Sequence, residues 1–450
     1  MIALLNAFYK ARYQRFNNRA QLQHWQDKQI KKHLDWVCQH SPYYETLQGQ
    51  SLDQFPIINK QIMMKHFDQL NTRGLKQQQL FEIAIEAENS RQFKQSNIDD
   101  VTVGLSSGTS GQRGLFLANS QERQIWAGNI LGKLLPNLLT KHRIALVLRA
   151  NSPLYSTINK GPIQFCYIDI TQPIAVWMKQ LDQFQPTLLI GSAQALQLCA
   201  LFTGQYSAPP IKPTRIISGA EVLTPADKAM IQESFKCPIH EVYQCTEGFL
   251  GSTDQFGQMR WNEDIVFIEK HWLNEQKTHY SPIITDFRRR TQPIIRYQLD
   301  DVIKVSDSQN KLGSLKEPAC LKGPVYLKDH GQLINGSKTV SVFETIGAIA
   351  GRCGDCLILN KQGKQVPLLP DLIYRAISLK LTQHCDYRIS QVADNKIEIA
   401  AELSMQGPIQ AALVGLFTQQ GLSSVEFTFA LKPTWNTANK QRRVVNLCAS

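Results

Sequence analysis

Apolar residues early in the chain recur at near-helical spacing: Leu22, Trp25, Ile30, Leu34 and Val37 share a face before Ser41 and Pro42 break the pattern. Residues 60–88 continue in helix formers, so 1–90 predicts a helical layer packed on a core. From Val101 the pattern changes. Short apolar runs at 101–105, 114–118, 143–150, 163–170, 187–191, 215–220 and 239–244 predict strands. Stretches at 120–139, 174–184 and 225–235 predict helices between them, the first opened by Asn119 and Glu122 at capping-box spacing. This alternation predicts an α/β fold with a largely parallel sheet, helices on both faces and ligands beyond the carboxyl ends of the strands. Near Gly351 the character shifts again. Extended runs at 356–359, 396–403 and 425–431, with helical ones at 371–381 and 409–419, predict a small C-terminal α+β domain of 351–450 behind a large domain of 1–350.

Three loops interrupt the apolar pattern with chemistry. The run at 101–105 opens into Ser106, Ser107, Gly108, Thr109, Ser110 and Gly111. Glycine there permits tight turns, and backbone N–H groups and hydroxyls would meet phosphate oxygens, although a plain surface turn has the same composition. Neither G-x-x-x-x-G-K-[ST] nor G-x-G-x-x-G can be drawn through it, which disfavours a Walker ATPase and a Rossmann dehydrogenase. The second loop, Ser218-Gly219-Ala220-Glu221, follows one predicted strand end. The third, Tyr243-Gln244-Cys245-Thr246-Glu247-Gly248, follows another. A carboxylate beside a threonine suits Mg²⁺, a hard ion that takes one or two carboxylates and fills its shell with phosphate and water. Further on, 294–301 ends an apolar run in Asp300 and Asp301, acids that can bind ribose hydroxyls or simply face solvent.

Composition narrows the class. A chain of 450 residues exceeds the roughly 250 to 300 at which one core stops growing, which agrees with two domains. The net charge of +12 suits an anionic ligand such as a nucleotide or coenzyme A, an acidic protein or nucleic acid. Because Lys and Arg are spread without a block, a dedicated nucleic-acid arm is not expected. The ten cysteines sit mostly in apolar runs, as core residues of a reducing compartment do, and the lone pair Cys353 and Cys356 is a weak metal signal. The first residues hold too short an apolar run for a signal peptide, and no later stretch would span a membrane, so a cytoplasmic protein is expected.

In order, SSGTSG, SGAE, YQCTEG, IIRYQLDD, GRCGD and NKQRRVV resemble the motif series of the adenylate-forming superfamily. Within it they are most similar to the phenylacetate-coenzyme A ligase-like branch. The early SPYY and FPIINKQIMMKHF resemble those ligases and the related synthetases that adenylylate a deazaflavin. This resemblance implies a large adenylate-forming domain with a small mobile C-terminal one. It implies ATP and Mg²⁺, a small carboxylic acid of aromatic type, and coenzyme A or the phosphopantetheine of a carrier protein as acceptor. Nucleic acid is not an implied partner, and a homodimer is compatible with it.

Roles carry over by position. Ser106, Ser107, Gly108, Thr109, Ser110 and Gly111 match the loop around the β- and γ-phosphates, and Gly219, Ala220 and Glu221 the segment beside the adenine. Tyr243 opens the motif in which Thr246 matches a phosphate contact and Glu247 the Mg²⁺ acid. Asp301 matches the ribose acid, Arg352 an interdomain arginine near the nucleotide, and Lys440 the lysine that bridges carboxylate and α-phosphate. Departures are Gln244-Cys245 before Thr246, Asp300 where glycine is usual, and Gly354 in place of the hinge acid, with Asp355 kept. The zinc-binding cysteines that some relatives carry after this motif are missing, so no such zinc is expected. Two other readings stay open: an adenylyltransferase acting on a deazaflavin hydroxyl, and a non-catalytic nucleotide- or nucleic-acid-binding protein.

Overall fold

The computed structural model describes residues 2–93, 96–106, 113–136, 140–149, 151–152, 155, 158–159, 161–204, 210–254, 256–306, 326–328, 332–335, 338–381, 385–422, 424–433 and 442–448. Its centre is a seven-stranded sheet in the order Met259–Trp261, Phe249–Thr253, Ile239–Gln244, Arg215–Ser218, Leu188–Gly191, His142–Leu148 and Ile163–Asp169. The last five run parallel and the first two antiparallel. Strand alternation sends neighbouring residues to opposite faces. Ile144, Leu188 and Ile217 enter one core with the N-terminal helices, whereas Ala145, Leu189 and Ile216 enter another under Ile174–Phe184, Ala193–Thr203 and Pro225–Phe235.

Two antiparallel sheets flank it. Val101–Leu105 and Leu115–Asn119 do not join the parallel sheet; they pair with each other and with Asn97–Ile98 under the helix Gln77–Asn89. Nine residues between them suffice for a hairpin, whereas a parallel return needs a longer crossover. Val266–Trp272, His279–Asp286, Ile294–Gln298, Asp301–Val305 and Ile346–Arg352 form a five-stranded sheet in which Asp301–Val305 pairs with Ile346–Arg352. Residues 357–444 supply a core of their own, built on the four-stranded sheet Glu426–Ala430, Lys396–Ala401, Tyr387–Ala393 and Val444–Asn446.

Several boundaries differ from the sequence pattern for local reasons. The helix expected over 120–139 is Ser120–Leu134, because Leu135 precedes Pro136 and turns extended. The strand expected over 215–220 stops at Ser218, since Ala220 has φ +66°. Ala193–Thr203 gives no amphipathic signal because its less buried side, Leu198, Leu201 and Phe202, is apolar as well. The extended run at 396–403 ends at Ala401, and Leu403–Gln419 is helical through Pro408.

The helix Ser120–Leu134 is fixed from both ends and behind. Its capping box forms as expected, with Glu122 N donating to Asn119 Oδ1 at 2.9 Å and Asn119 N donating to Glu122 Oε2 at 2.7 Å. Gly128 and Gly132 admit the N-terminal helix Ile2–Tyr13: a Cβ on Gly128 would overlap the Leu4 carbonyl and lie 2.8 Å from Phe8 N. Gly128→Ala should therefore destabilise the protein by about 1 to 3 kcal/mol in urea unfolding, as overpacking against backbone does. An unchanged midpoint would show that the two helices can separate freely.

His33 supplies a pH test. It is buried, neither ring nitrogen has a partner among the described residues, and desolvation, aided by the Arg290 charge, lowers its pKa to about 3. The folded chain thus binds fewer protons than the unfolded one below about pH 6.5. Stability present above that pH is lost as pH falls, by up to about 1.4 kcal/mol per unit. His33→Leu should melt higher than the parent at pH 4.5, by more than at pH 7.5, in paired thermal scans. A pH-independent difference would sink this assignment.

Candidate active site

The carboxyl ends of the parallel strands open into a cavity of about 560 Å³. Nine of the residues selected by motif line it: Ser106, Gly219, Ala220, Glu221, Tyr243, Thr246, Glu247, Asp301 and Arg352. Ser107, Gly108, Thr109, Ser110, Gly111 and Lys440 lie outside the described residues.

Each of the nine is delivered by an element end. Ser106 ends a hairpin strand: its N–H donates to Gly114 O, and its Oγ accepts from Gly114 N, both at 2.8 Å. Gly219 N donates to Gly191 O at 3.0 Å and leaves no room for a side chain, since a Cβ would lie 2.7 Å from Val242 Cγ2. The positive φ of Ala220 is a conformation an L-residue rarely holds, and here it turns the chain along the cavity wall. Glu221 does not offer a free charge. Its carboxylate pairs with Arg149 at 2.8 Å and accepts from Gln194 N at 3.0 Å, so it clamps the turn to the start of the preceding helix, Ala193–Thr203.

Asp301 begins a strand opposite Arg352. Its Oδ2 accepts from the Tyr243 hydroxyl at 2.6 Å, and its Oδ1 lies 3.6 Å from Arg352 Nε. Burial, then the Asp301 charge, pushes the Tyr243 pKa well up, so the phenol stays a donor. Asp300 is exposed beside this network.

Glu247 accepts from Thr246 Oγ1 at 2.9 Å and from the Tyr297 hydroxyl, whose pKa is raised chiefly by burial and then by Glu247. Two neutral hydroxyls orient that carboxylate without neutralising it. A carboxylate so held, facing a cavity, fits the donor set that Mg²⁺ accepts alongside phosphate oxygens.

Three contributors were not selected from the sequence. Lys60 follows the helix cap Asn59 and is set by the bridge of Ile58 to Tyr297. Its amine is half-buried within the fields of Glu247, Asp300, Arg352 and Arg113, and burial lowers its pKa. It lies in the FPIINKQIMMKHF stretch but carries no spacing signature. Arg289 donates to Thr246 O at 2.9 Å and to Leu117 O at 3.1 Å, pinning the Thr246-Glu247 turn. Asp286 lines the cavity, and burial pushes its carboxyl up to about 6. Three consecutive arginines after Asp286 look like a solvated charge run, which hides a buried one.

Cys353 and Cys356 are free thiols, the first exposed and the second buried. No helix among the described residues is long and apolar enough to cross a membrane.

No protein-family model matches the chain. Over 169 residues it is 25% identical to Protein CapK of Staphylococcus aureus, an alignment covering 37% of this chain and 36% of that protein. The chain thus spans about a third of the length of the curated relative it matches. Among solved structures it is similar to 2-hydroxyisobutyryl-CoA ligase in the postadenylation state with R3-HIB-AMP, at TM-score 0.59 and 14% identity over 97% of this chain and 91% of that one. An open conformation of that ligase with 2-HIB-AMP and CoA gives TM-score 0.54 and 14% identity, over 96% and 93%. The chain therefore has the mixed α/β fold of the adenylate-forming CoA ligases.

Proposed function

We propose that the protein is an ATP-dependent, AMP-forming ligase that activates a carboxylic acid of aromatic type as its acyl-adenylate and passes it to a thiol of coenzyme A or a carrier protein. The observation that carries this reading is the convergence of Thr246-Glu247, the Tyr243-Asp301-Arg352 network and the strained Ala220 turn on one cavity. The shared fold with a ligase caught with an acyl-AMP supports it.

A carboxylate is already a nucleophile at neutral pH; the obstacle is its approach to a polyanion. Catalysis must then be positioning and charge neutralisation. Asp301 would hold the ribose, its orientation set by Tyr243 and Arg352. Glu247 would hold Mg²⁺, which when bound offsets charge on the departing pyrophosphate. Ser106 and the loop after it would cradle phosphate, with Lys60 adding positive charge on that side. Lys440 would neutralise the α-phosphate during attack. In the domain division that this reading adopts, 1–350 binds the nucleotide and 351–450 carries that lysine.

An acid-dependent ATP–pyrophosphate exchange assay over aryl, fatty and amino acids tests the reading, with free coenzyme A added separately to follow thioester formation. Glu247→Gln should lower exchange by roughly 100-fold or more while remaining folded, because an amide still accepts hydrogen bonds but cannot balance an ion's charge. Near-normal exchange would remove Glu247 from the metal role. Asp301→Ala should weaken ATP binding by roughly tenfold or more in titration calorimetry, the loss of a charged hydrogen-bond partner, whereas Asp300→Ala should change it little. The opposite ranking would move the ribose contact to Asp300.

A further inference from the structure

The helix Ile2–Tyr13 is apolar on two opposite sides. Its inner side, with Ala7, Phe8 and Ala11, is buried against Gly128 and Gly132, where an added Cβ would lie 2.8 Å from Phe8 N or Phe8 O. Its outer side carries Ile2, Leu5, Tyr9 and Tyr13, which are 85%, 60%, 65% and 49% exposed. At 3.6 residues per turn these four fall within an arc of about 80°, so they form one stripe along the helix. The rings of Tyr9 and Tyr13 extend it, with centroids 5.0 Å apart. Single exposed apolar residues need no explanation, but a helix that is apolar on both sides is one that something covers on both.

Charge says what covers the outer side. Residues 1–26 contain Lys10, Arg12, Arg15 and Arg19 and no Asp or Glu. Helical spacing puts Lys10, which is exposed, on one flank of the stripe and Arg12 on the other. Arg12 donates to Leu135 O at 2.5 Å and Pro136 O at 3.0 Å, neutral carbonyls that leave its charge uncancelled, and Arg215 adds a second positive field there. Arg19 is answered by Glu263 at 2.6 Å and is set aside. An apolar stripe between cations, with tyrosines whose rings are apolar and whose hydroxyls suit water, is the pattern that lies in the headgroup layer of a bilayer. A second copy fits worse: it would set like charges together, and four residues fall far short of the roughly 20 a side that a stable dimer uses. Nucleic acid would use the charges and leave the stripe in water. We propose that the outer face of Ile2–Tyr13 is a docking surface for an anionic lipid bilayer, with Ile2, Leu5, Tyr9 and Tyr13 at headgroup depth and Lys10 and Arg12 facing lipid phosphates. The helix is already folded against its neighbour, so docking carries no cost of ordering it. None of its residues lines the cavity, so this surface is independent of the ligase reading.

The test is flotation of the full chain with vesicles of phosphatidylcholine alone and of phosphatidylcholine mixed equally with phosphatidylglycerol. The parent should bind the anionic vesicles at least about tenfold more tightly than the neutral ones, and Lys10→Gln should weaken that binding about fivefold, the factor expected of one cation at such a surface. Leu5→Ser combined with Tyr9→Ser should weaken it by about tenfold or more, through lost apolar burial. Both variants should keep the parent's melting midpoint, because the replaced side chains are already exposed. Anionic binding that both variants weaken upholds the proposal. Equal binding to the two vesicles, or flotation with neither, overturns it. So does anionic binding that the Leu5 and Tyr9 variant keeps, which would trace the attraction to the net charge of +12 and not to the stripe. Light scattering supplies the last arm: a dimer of the parent that the same double substitution dissociates would give the stripe to a second copy and overturn the lipid assignment.

Discussion

The site depends on one buried carboxylate at the start of a helix. Glu122 sits 6% exposed at the start of Ser120–Leu134 and collects Asn119 N, Arg290 N, Thr291 N and Thr291 Oγ1 at 2.5 to 2.9 Å. A buried carboxylate is tolerable only when donors replace its water, and these come from both the helix cap and the turn at 286–292. That turn reaches outward again. Arg289 holds the carbonyls of Thr246 and Leu117, and Gln292 accepts from Leu117 N and donates to Leu115 O. Hairpin, helix and Thr246-Glu247 turn are thereby tied at one knot. Removing one partner would strand others in a dry interior, which is costlier than any single bond suggests.

The knot also explains how three separate sheets present side chains to one cavity. The parallel sheet delivers Gly219 and Tyr243 at its carboxyl ends, the hairpin delivers Ser106, and the five-stranded sheet delivers Asp301 and Arg352 as a cross-strand pair. The Tyr243 to Asp301 bond, at 2.6 Å, joins the first to the third directly beside the cavity. Its phenol is desolvated and stays protonated, so the link is a charge-assisted hydrogen bond in a low-dielectric setting.

Much of this was legible in the sequence where the signal is local. The capping box at Asn119 and Glu122, the strand at 239–244 and the helices at 174–184 and 225–235 follow from spacing alone. Eight of the nine motif residues stand in loops read at the ends of apolar runs, the places where an open α/β sheet presents its chemistry, whereas Arg352 came only from the motif resemblance. What the pattern could not show was non-local. Nothing near Glu122 in sequence says that its carboxylate is shared with Thr291, 169 positions away. Lys60 reaches the cavity only because Ile58 bridges to Tyr297. The hairpin at 101–119 has strand composition without any mark of which sheet it will join, and Ala193–Thr203 carries apolar Leu198, Leu201 and Phe202 on its less buried side and so loses its periodicity.

The junction between the large core and residues 357–444 shows the same division between local signal and distant contact. Gly354, which stands where an acid is usual in the motif, has ordinary φ, and a Cβ there would meet nothing within 4 Å. Alanine would fit it in this arrangement. Gly351 is different: its φ is +120°, and a Cβ would come 2.7 Å from Pro370. The strict backbone requirement therefore lies three residues earlier than the motif suggests. Beyond it, Arg443 reaches back to Asp227 at 2.9 Å, a pair in which both side chains are almost wholly buried and which spans the two cores. Such a pair contributes little net stability against an apolar alternative, but breaking it leaves a charge in a dry site. What glycine adds at 354 is freedom in φ, which only a different placement, with Arg443 and Asp227 separated and rehydrated, would draw on.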